Sequence, residues 1–504
     1  MLFKRDPIWL TLLCAAACSA QAVSLQNAEK ELFAARYKHA AELYAKVLAN
    51  DPADPTAYYG LIRSLIEDHR SQEAYSKAAE ALQQFPQTAC VQTAAGLAAY
   101  RKGDIAKAEE HFRSALRLAP DDAAARQGLA SIYKTISKFK TARNLLMDAY
   151  RRSPGDPQLM LVHADILKGA DHIAALREVL AVLDSDSEEA RRLRAHIADD
   201  LAAGDRKLRR LISPYEKTRI KLFLILDGPL KPRGLGVRVQ FNQHETARLL
   251  LDTGASGISV SPKLAERAGL EILGDQSHDA KGIGDKQAQP SLRYIASEVR
   301  IGDVVFADYP ISVFRSAKSS DFDGLIGADV FRRFMVTIDF PEVELALEPR
   351  PAVTPSESDG PMDAATALPS GFQRVFRFGD HLAVPASINN GRSTLFLIDS
   401  GSSSNLIDDA IARESSKVYR DDLTKVSGIQ GAVKQTSRTD HVSLVFAGFR
   451  QENPSLVAIS LESMSDSMGV AFGGIIGMPV LRQMALTIDY QEGIVRFQHK
   501  NSMR

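Results

Sequence analysis

The sequence predicts a multidomain chain, α first and β after: an N-terminal α-solenoid of antiparallel helix pairs, then two mainly-β units related by a pseudo-twofold axis. Three observations predict it. Pro52, Pro86, Pro120 and Pro154 recur every 34 residues. Beyond the basic stretch RKLRRLISPYEKTRIK (206–221), helical periodicity gives way to short alternating strands with Gly- and Asn-rich turns. Finally, LLLDTGASGISVS at 249–261 returns as LFLIDSGSSSNLI at 395–407.

Composition sets outer bounds. The 504 residues are 45% hydrophobic and 25% charged, as in ordinary globular proteins. Lys+Arg and Asp+Glu stand at 62 each, so no basic surplus exists to neutralise a nucleic-acid backbone, and no nucleic-acid partner is expected. Residues 1–22 read as a secretory signal: Lys4 and Arg5, an apolar core from Ile8 to Ala17, then Ala20-Gln21-Ala22. The expected location is periplasmic or secreted. Ala15-Ala16-Ala17-Cys18 partly matches a bacterial lipoprotein cleavage box, so lipidation at Cys18 is the one membrane anchorage expected. Cys14 and Cys18 lie in the signal, which leaves Cys90 as a lone packing thiol without a disulfide or zinc pattern.

The helical region spans 24–204. Twelve residues before each periodic proline stands Ala40, Ala74, Ala108 or Ala142; five before, Val47, Ala81, Ala115 or Ala149. The third copy is clearest, with Gly96 and Ala99 on a first helix, Gly103 in the turn, Phe112 on a second, then Pro120. Small residues let antiparallel helices approach, and proline ends the second one. The pattern resembles the tetratricopeptide repeat over about residues 24–155, with a degenerate fifth pair and a capping helix in 155–204. That resemblance implies stacked repeats with a concave groove that holds a protein partner, or an array that only spaces and orients the β region.

Residues 205–232 read as a linker, 233–349 and 373–500 as the two β units, and 350–372 (rich in Pro, Ser and Gly) as a second linker. The units match feature by feature. GIGD (282–285) lies 30 residues after Asp252 and GIQG (428–431) lies 29 after Asp399. DGLIGADVF (323–331) corresponds to GGIIGMPVL (473–481), and VTIDF (336–340) to LTIDY (486–490).

A carboxylate ending an apolar strand is costly unless something pairs with it. A pseudo-twofold arrangement would bring Asp252 and Asp399 face to face. Each unit resembles a retroviral-type (retropepsin-like) aspartic protease subunit, through its Asp-Thr/Ser-Gly loop, Gly-rich flap and hydrophobic-hydrophobic-Gly stretch. The resemblance implies a bilobal aspartic endopeptidase with catalytic Asp252 and Asp399, no cofactor or metal, and a peptide or protein substrate. Thr253 and Ser400 would cross-link the loops, Gly254 and Gly401 would admit backbone close to the carboxyls, and Gly282, Ile283, Gly284, Gly428, Ile429 and Gly431 would form flaps over the substrate.

One asymmetry is visible. Ser402 follows the second loop where Ala255 follows the first. A hydroxyl donor at 402 would favour an ionised Asp399 and leave the shared proton on Asp252. Asp339 and Asp489 read as turn residues, Asp323 faces Gly473 in the alignment and is no member of the pair, and the eleven histidines show no metal spacing. Two other functions fit the sequence: a non-catalytic tetratricopeptide scaffold with a protease-like peptide-binding domain, and an enzyme in which Asp252 meets a second Asp252 across a dimer.

Overall fold

The computed structural model describes residues 25–226, 232–274, 278–280, 289–314, 322–350, 368–421, 424, 426, 433 and 435–500. The expected signal segment and most of the 350–372 linker fall outside them. The chain divides into two compact units, one running to Leu193 apart from Tyr133–Thr141, the other holding Tyr133–Thr141 and Arg194 onward.

The helical region is built of helix pairs. A helix over 25–33 precedes Tyr37–Asn50, followed by Pro55–Glu67 with Ser71–Gln84, Ala89–Arg101 with Ile105–Leu118, and Ala123–Thr135 with Phe139–Arg152. A shorter pair, Pro157–Ala164 with Gly169–Val182, and a last helix, Glu188–Ala203, complete the run. Each periodic proline stands two residues beyond a second helix, where its missing N–H costs no helical hydrogen bond. Asp54 and Asp156 cap the helices after two of these turns: Asp54 accepts from the Thr56 amide at 2.8 Å and Asp156 from the Gln158 amide at 2.9 Å. Small residues seat the aromatic ones. The buried Phe112 ring occupies the space a side chain would need at both Gly96 and Gly128, where an added Cβ would fall 2.6 and 2.2 Å from it. No helix among the described residues is long and apolar enough to cross a membrane.

In the second unit, two ten-stranded sheets flank a six-stranded one. The order Ile258–Val260, Gly324–Gly327, Glu245–Asp252, Pro232–Phe241 in the first lobe repeats as Leu406–Asp408, Gly474–Ile476, Thr394–Ile398, His381–Ile388 in the second. The six-stranded sheet joins the lobes. Its central pair is Phe334–Asp339 with Met484–Asp489, antiparallel, and Thr337 lies opposite Thr487 with their hydroxyls 3.1 Å apart. A single apolar core runs through both lobes and this sheet, from Leu235 and Leu249 to Phe334, Ile398 and Leu486.

The linker expected over 205–232 needs correction. Arg210–Leu211 pairs with Val304–Phe314, Thr218–Lys221 forms an edge of the joining sheet, and Phe223–Leu226 pairs with Pro232–Phe241. These strands are two to four residues long, and each of the latter two buries one side chain, Ile220 or Ile225. So short an alternation is masked in the sequence by the basic residues around it.

Candidate active site

Each aspartate is carried to the centre by the strand before it. Glu245–Asp252 pairs in parallel with Gly324–Gly327, which sets Leu250 beside Leu325 and Asp252 beside Gly327. Thr394–Ile398 pairs the same way with Gly474–Ile476. The hydrophobic-hydrophobic-Gly stretches therefore underlie the loops. A Cβ at Gly327 would fall 2.5 Å from the Ala255 carbonyl, and one at Gly477 would fall 2.4 Å from that of Ser404. Only glycine permits this contact.

The two Asp-hydroxyl-Gly loops meet within one chain. Ser400 Oγ donates to the Leu251 carbonyl at 2.8 Å and accepts from the Thr253 amide at 3.0 Å. Thr253 Oγ1 donates to the Ile398 carbonyl at 2.8 Å and accepts from the Ser400 amide at 2.9 Å. Both side chains are buried, and every polar atom in the exchange is satisfied.

Above this clasp the carboxyls of Asp252 and Asp399 lie close enough for each to act on the other's charge. Gly254 donates its amide to Asp252 Oδ1 at 2.8 Å; Gly401 and Ser402 donate theirs to Asp399 Oδ1 at 2.8 and 3.0 Å. Each glycine lies against the opposite carboxyl: a Cβ on Gly254 would come 2.7 Å from Asp399 Cγ, and one on Gly401 2.5 Å from Asp252 Cγ. Burial, then the charge of Asp252, push Asp399 well above the usual carboxylate range. Burial also raises Asp252, but the neighbouring Asp399 carboxyl opposes that rise. Among the described residues no third metal-ligating side chain converges on the pair.

The Ser402 hydroxyl is not the donor to Asp399 that the sequence suggests. It donates to the Ser404 carbonyl at 2.8 Å and does not reach Asp399. Only the backbone amide of Ser402 touches that carboxyl, and any residue at 402 except proline would supply one.

The flap residues Gly282, Ile283, Gly284, Gly428, Ile429 and Gly431 lie outside the described residues. The strands leading to them are described: His278–Ala280 pairs with Gln289–Ser291 in the first lobe, and Val418–Arg420 with Ser437–Thr439 in the second. Asp339 and Asp489 sit away from the pair as ion-paired turn residues. Asp339 holds Lys500, while Asp489 holds Arg350 Nε at 2.9 Å and caps the Gln491 amide at 3.0 Å. Asp323 accepts from the Arg248 amide at 2.8 Å.

Two residues that the sequence did not single out belong to the site. Asp329 is buried beside the first loop, where it accepts from the Gly257 amide at 2.8 Å. Burial and neighbouring Asp380 push its pKa up to about 6. His381 lies against Gly254 and Asp252. Comparing the lobes in register, 147 residues apart, would have exposed it, because Gly234 stands in its place in the first lobe.

Residues 237–330 and 384–480 match the sequence model of the aspartyl protease family, and residues 93–157 match that of the tetratricopeptide repeat. No curated protein sequence matches the chain. Among solved structures, an aspartic proteinase from Irpex lacteus is 14% identical with a TM-score of 0.36, over 57% of this chain and 98% of its own. A thermophilic TPR protein from Thermus thermophilus is 19% identical with a TM-score of 0.28, over 36% of this chain and 98% of its own.

Proposed function

From a chain that carries tetratricopeptide repeats and a two-segment, retropepsin-like aspartyl protease domain, we propose an aspartic endopeptidase that cuts peptide bonds with a water activated by Asp252 and Asp399. One observation supports this: the two duplicated loops interlock so that each loop glycine lies against the other loop's carboxyl, which brings Asp252 and Asp399 together. Two carboxyls this close cannot both ionise without strong repulsion, so they share one proton.

Asp252, ionised, takes a proton from the water as its oxygen attacks the peptide carbonyl carbon. Asp399 gives its proton to the carbonyl oxygen, and a neutral gem-diol forms. Asp252 then passes its proton to the departing nitrogen while Asp399 recovers one from the hydroxyl that becomes the new carbonyl. Atoms and charges balance, and the pair returns to its starting state. The strands leading to the flaps suit an extended substrate held through its backbone. In this proposal the helical repeats recruit the substrate protein or a partner, and the N-terminal segment directs export to the periplasm or beyond.

Incubating the full chain with a mixed library of unstructured peptides, from acid to neutral pH, tests the activity. New internal termini, detected by mass spectrometry and absent with Asp399→Asn, support the enzyme. A wild-type protein that binds library peptides and cuts none would favour the scaffold instead.

A further inference from the structure

The two lobes differ where the strand preceding each aspartate strand faces the other lobe's aspartate loop. Gly234 makes this contact in the first lobe, and its missing side chain leaves the Ser400 carbonyl 3.2 Å from where a Cβ would stand. The equivalent position in the second lobe is His381, at the start of the strand His381–Ile388. Its ring acts on the Gly254 backbone and on Asp252, and its buried Nδ1 has no hydrogen-bond partner among the described residues. An imidazole thus stands beside the Asp252 loop, while glycine holds the same place beside the Asp399 loop.

The groups around the ring come from several elements. Asp252, on the opposite lobe, and Asp380, next in the chain, are the carboxylates that favour a charged imidazole; burial opposes them and is the larger effect. Asp380 is itself held by Arg377 at 3.1 Å and by Arg332 at 3.4 Å, so much of its charge is already balanced. Asp329 and the buried Tyr490 hydroxyl lie beyond Asp380 and respond to its charge. Among the described residues no lysine or arginine forms an ion pair with Asp252. An imidazolium, or the donor edge of a neutral imidazole, favours negative charge on the nearer carboxyl.

We propose that His381 is a positioning residue that fixes which carboxyl of the pair holds the shared proton, keeping Asp252 as the charged member and Asp399 as the protonated one. Without it, the difference that remains between the two carboxyls is the second amide donor, from Ser402, which favours charge on Asp399 instead. The proposal rests on the catalytic pair described above. Its direct test, however, requires no cleavage.

The imidazole of His381 is titrated by nitrogen-15 NMR in the full chain, as wild type, Asp252→Asn and Asp399→Asn. Coupling between titrating groups is reciprocal, so a residue that favours charge on Asp252 must feel its loss. The expected result is a fall of about one pH unit in the His381 midpoint for Asp252→Asn, and a much smaller change for Asp399→Asn. Equal shifts in the two variants, or a larger one in Asp399→Asn, would overturn the proposal. The pH profile of peptide cleavage by His381→Asn and His381→Gln gives a second readout, in which the acid limb moves up by about one unit. The expected NMR shifts in a protein that cuts nothing would retire the enzyme and keep the coupling. Cleavage with unchanged NMR midpoints in all three proteins would do the reverse.

Discussion

Thr253 and Ser400 clasp the two lobes by exchanging their roles: each amide donates to the other's hydroxyl, and each hydroxyl donates to a carbonyl in the strand before the partner. Thr253→Val keeps the shape but leaves the buried Ser400 amide and Ile398 carbonyl unpaired. Unfolding in denaturant is expected to show a loss of about 1–3 kcal/mol. Combining it with Ser400→Ala should cost less than the sum of the two, because they break one network.

Gly254 and Gly401 carry the next expectation. With a Cβ at either position 2.5–2.7 Å from the opposing carboxyl carbon, Gly254→Ala or Gly401→Ala must push the pair apart. Cleavage is expected to fall by roughly a hundredfold or more, as misplacement of about 1 Å commonly costs that much. A near wild-type rate in both variants would mean that the carboxyls need not be close.

Asp329 should make stability depend on pH. Its folded pKa of about 6 lies above the ordinary value, so the folded state binds this proton more tightly than the unfolded chain. The stabilisation is complete below about pH 4 and is lost as pH rises toward 6. Asp329→Asn keeps an oxygen for the Gly257 amide and removes the titration. Thermal melts at pH 4 and pH 7 should therefore differ less in Asp329→Asn than in wild type, by on the order of 2 kcal/mol.

Within the repeats, Phe112→Ala empties the space between Gly96 and Gly128. A ring this deeply buried costs about 3–5 kcal/mol to remove, and the helical circular dichroism signal should melt at lower temperature accordingly.

How each feature is encoded decides whether the sequence reveals it. The repeats were legible because the same packing need recurs: a small residue on one helix, an aromatic or alanine on the next, then a proline that stops it. The meeting of the Asp252 and Asp399 loops was legible because duplication writes the Asp-hydroxyl-Gly loop and the Gly327 and Gly477 stretches twice in one order. Thr218–Lys221 and Phe223–Leu226 were not, since a four-residue strand that buries one side chain leaves almost no periodic signal. Side-chain direction was hidden too: Ser402 looked like a donor to Asp399, yet its hydroxyl is held by Ser404. His381 lies 18 residues before Asp399, and only strand register shows that its counterpart is Gly234.

In the proposed mechanism, Asp252 and Asp399 of one chain act as a single acid–base pair. The measurement closest to it compares peptide cleavage rates of wild type, Asp252→Asn, Asp399→Asn and an equimolar mixture of the two variants. The expected result is activity in wild type, losses of roughly a thousandfold or more in each variant, and no recovery on mixing. Wild-type rates in either variant, or activity restored by the mixture, would contradict it.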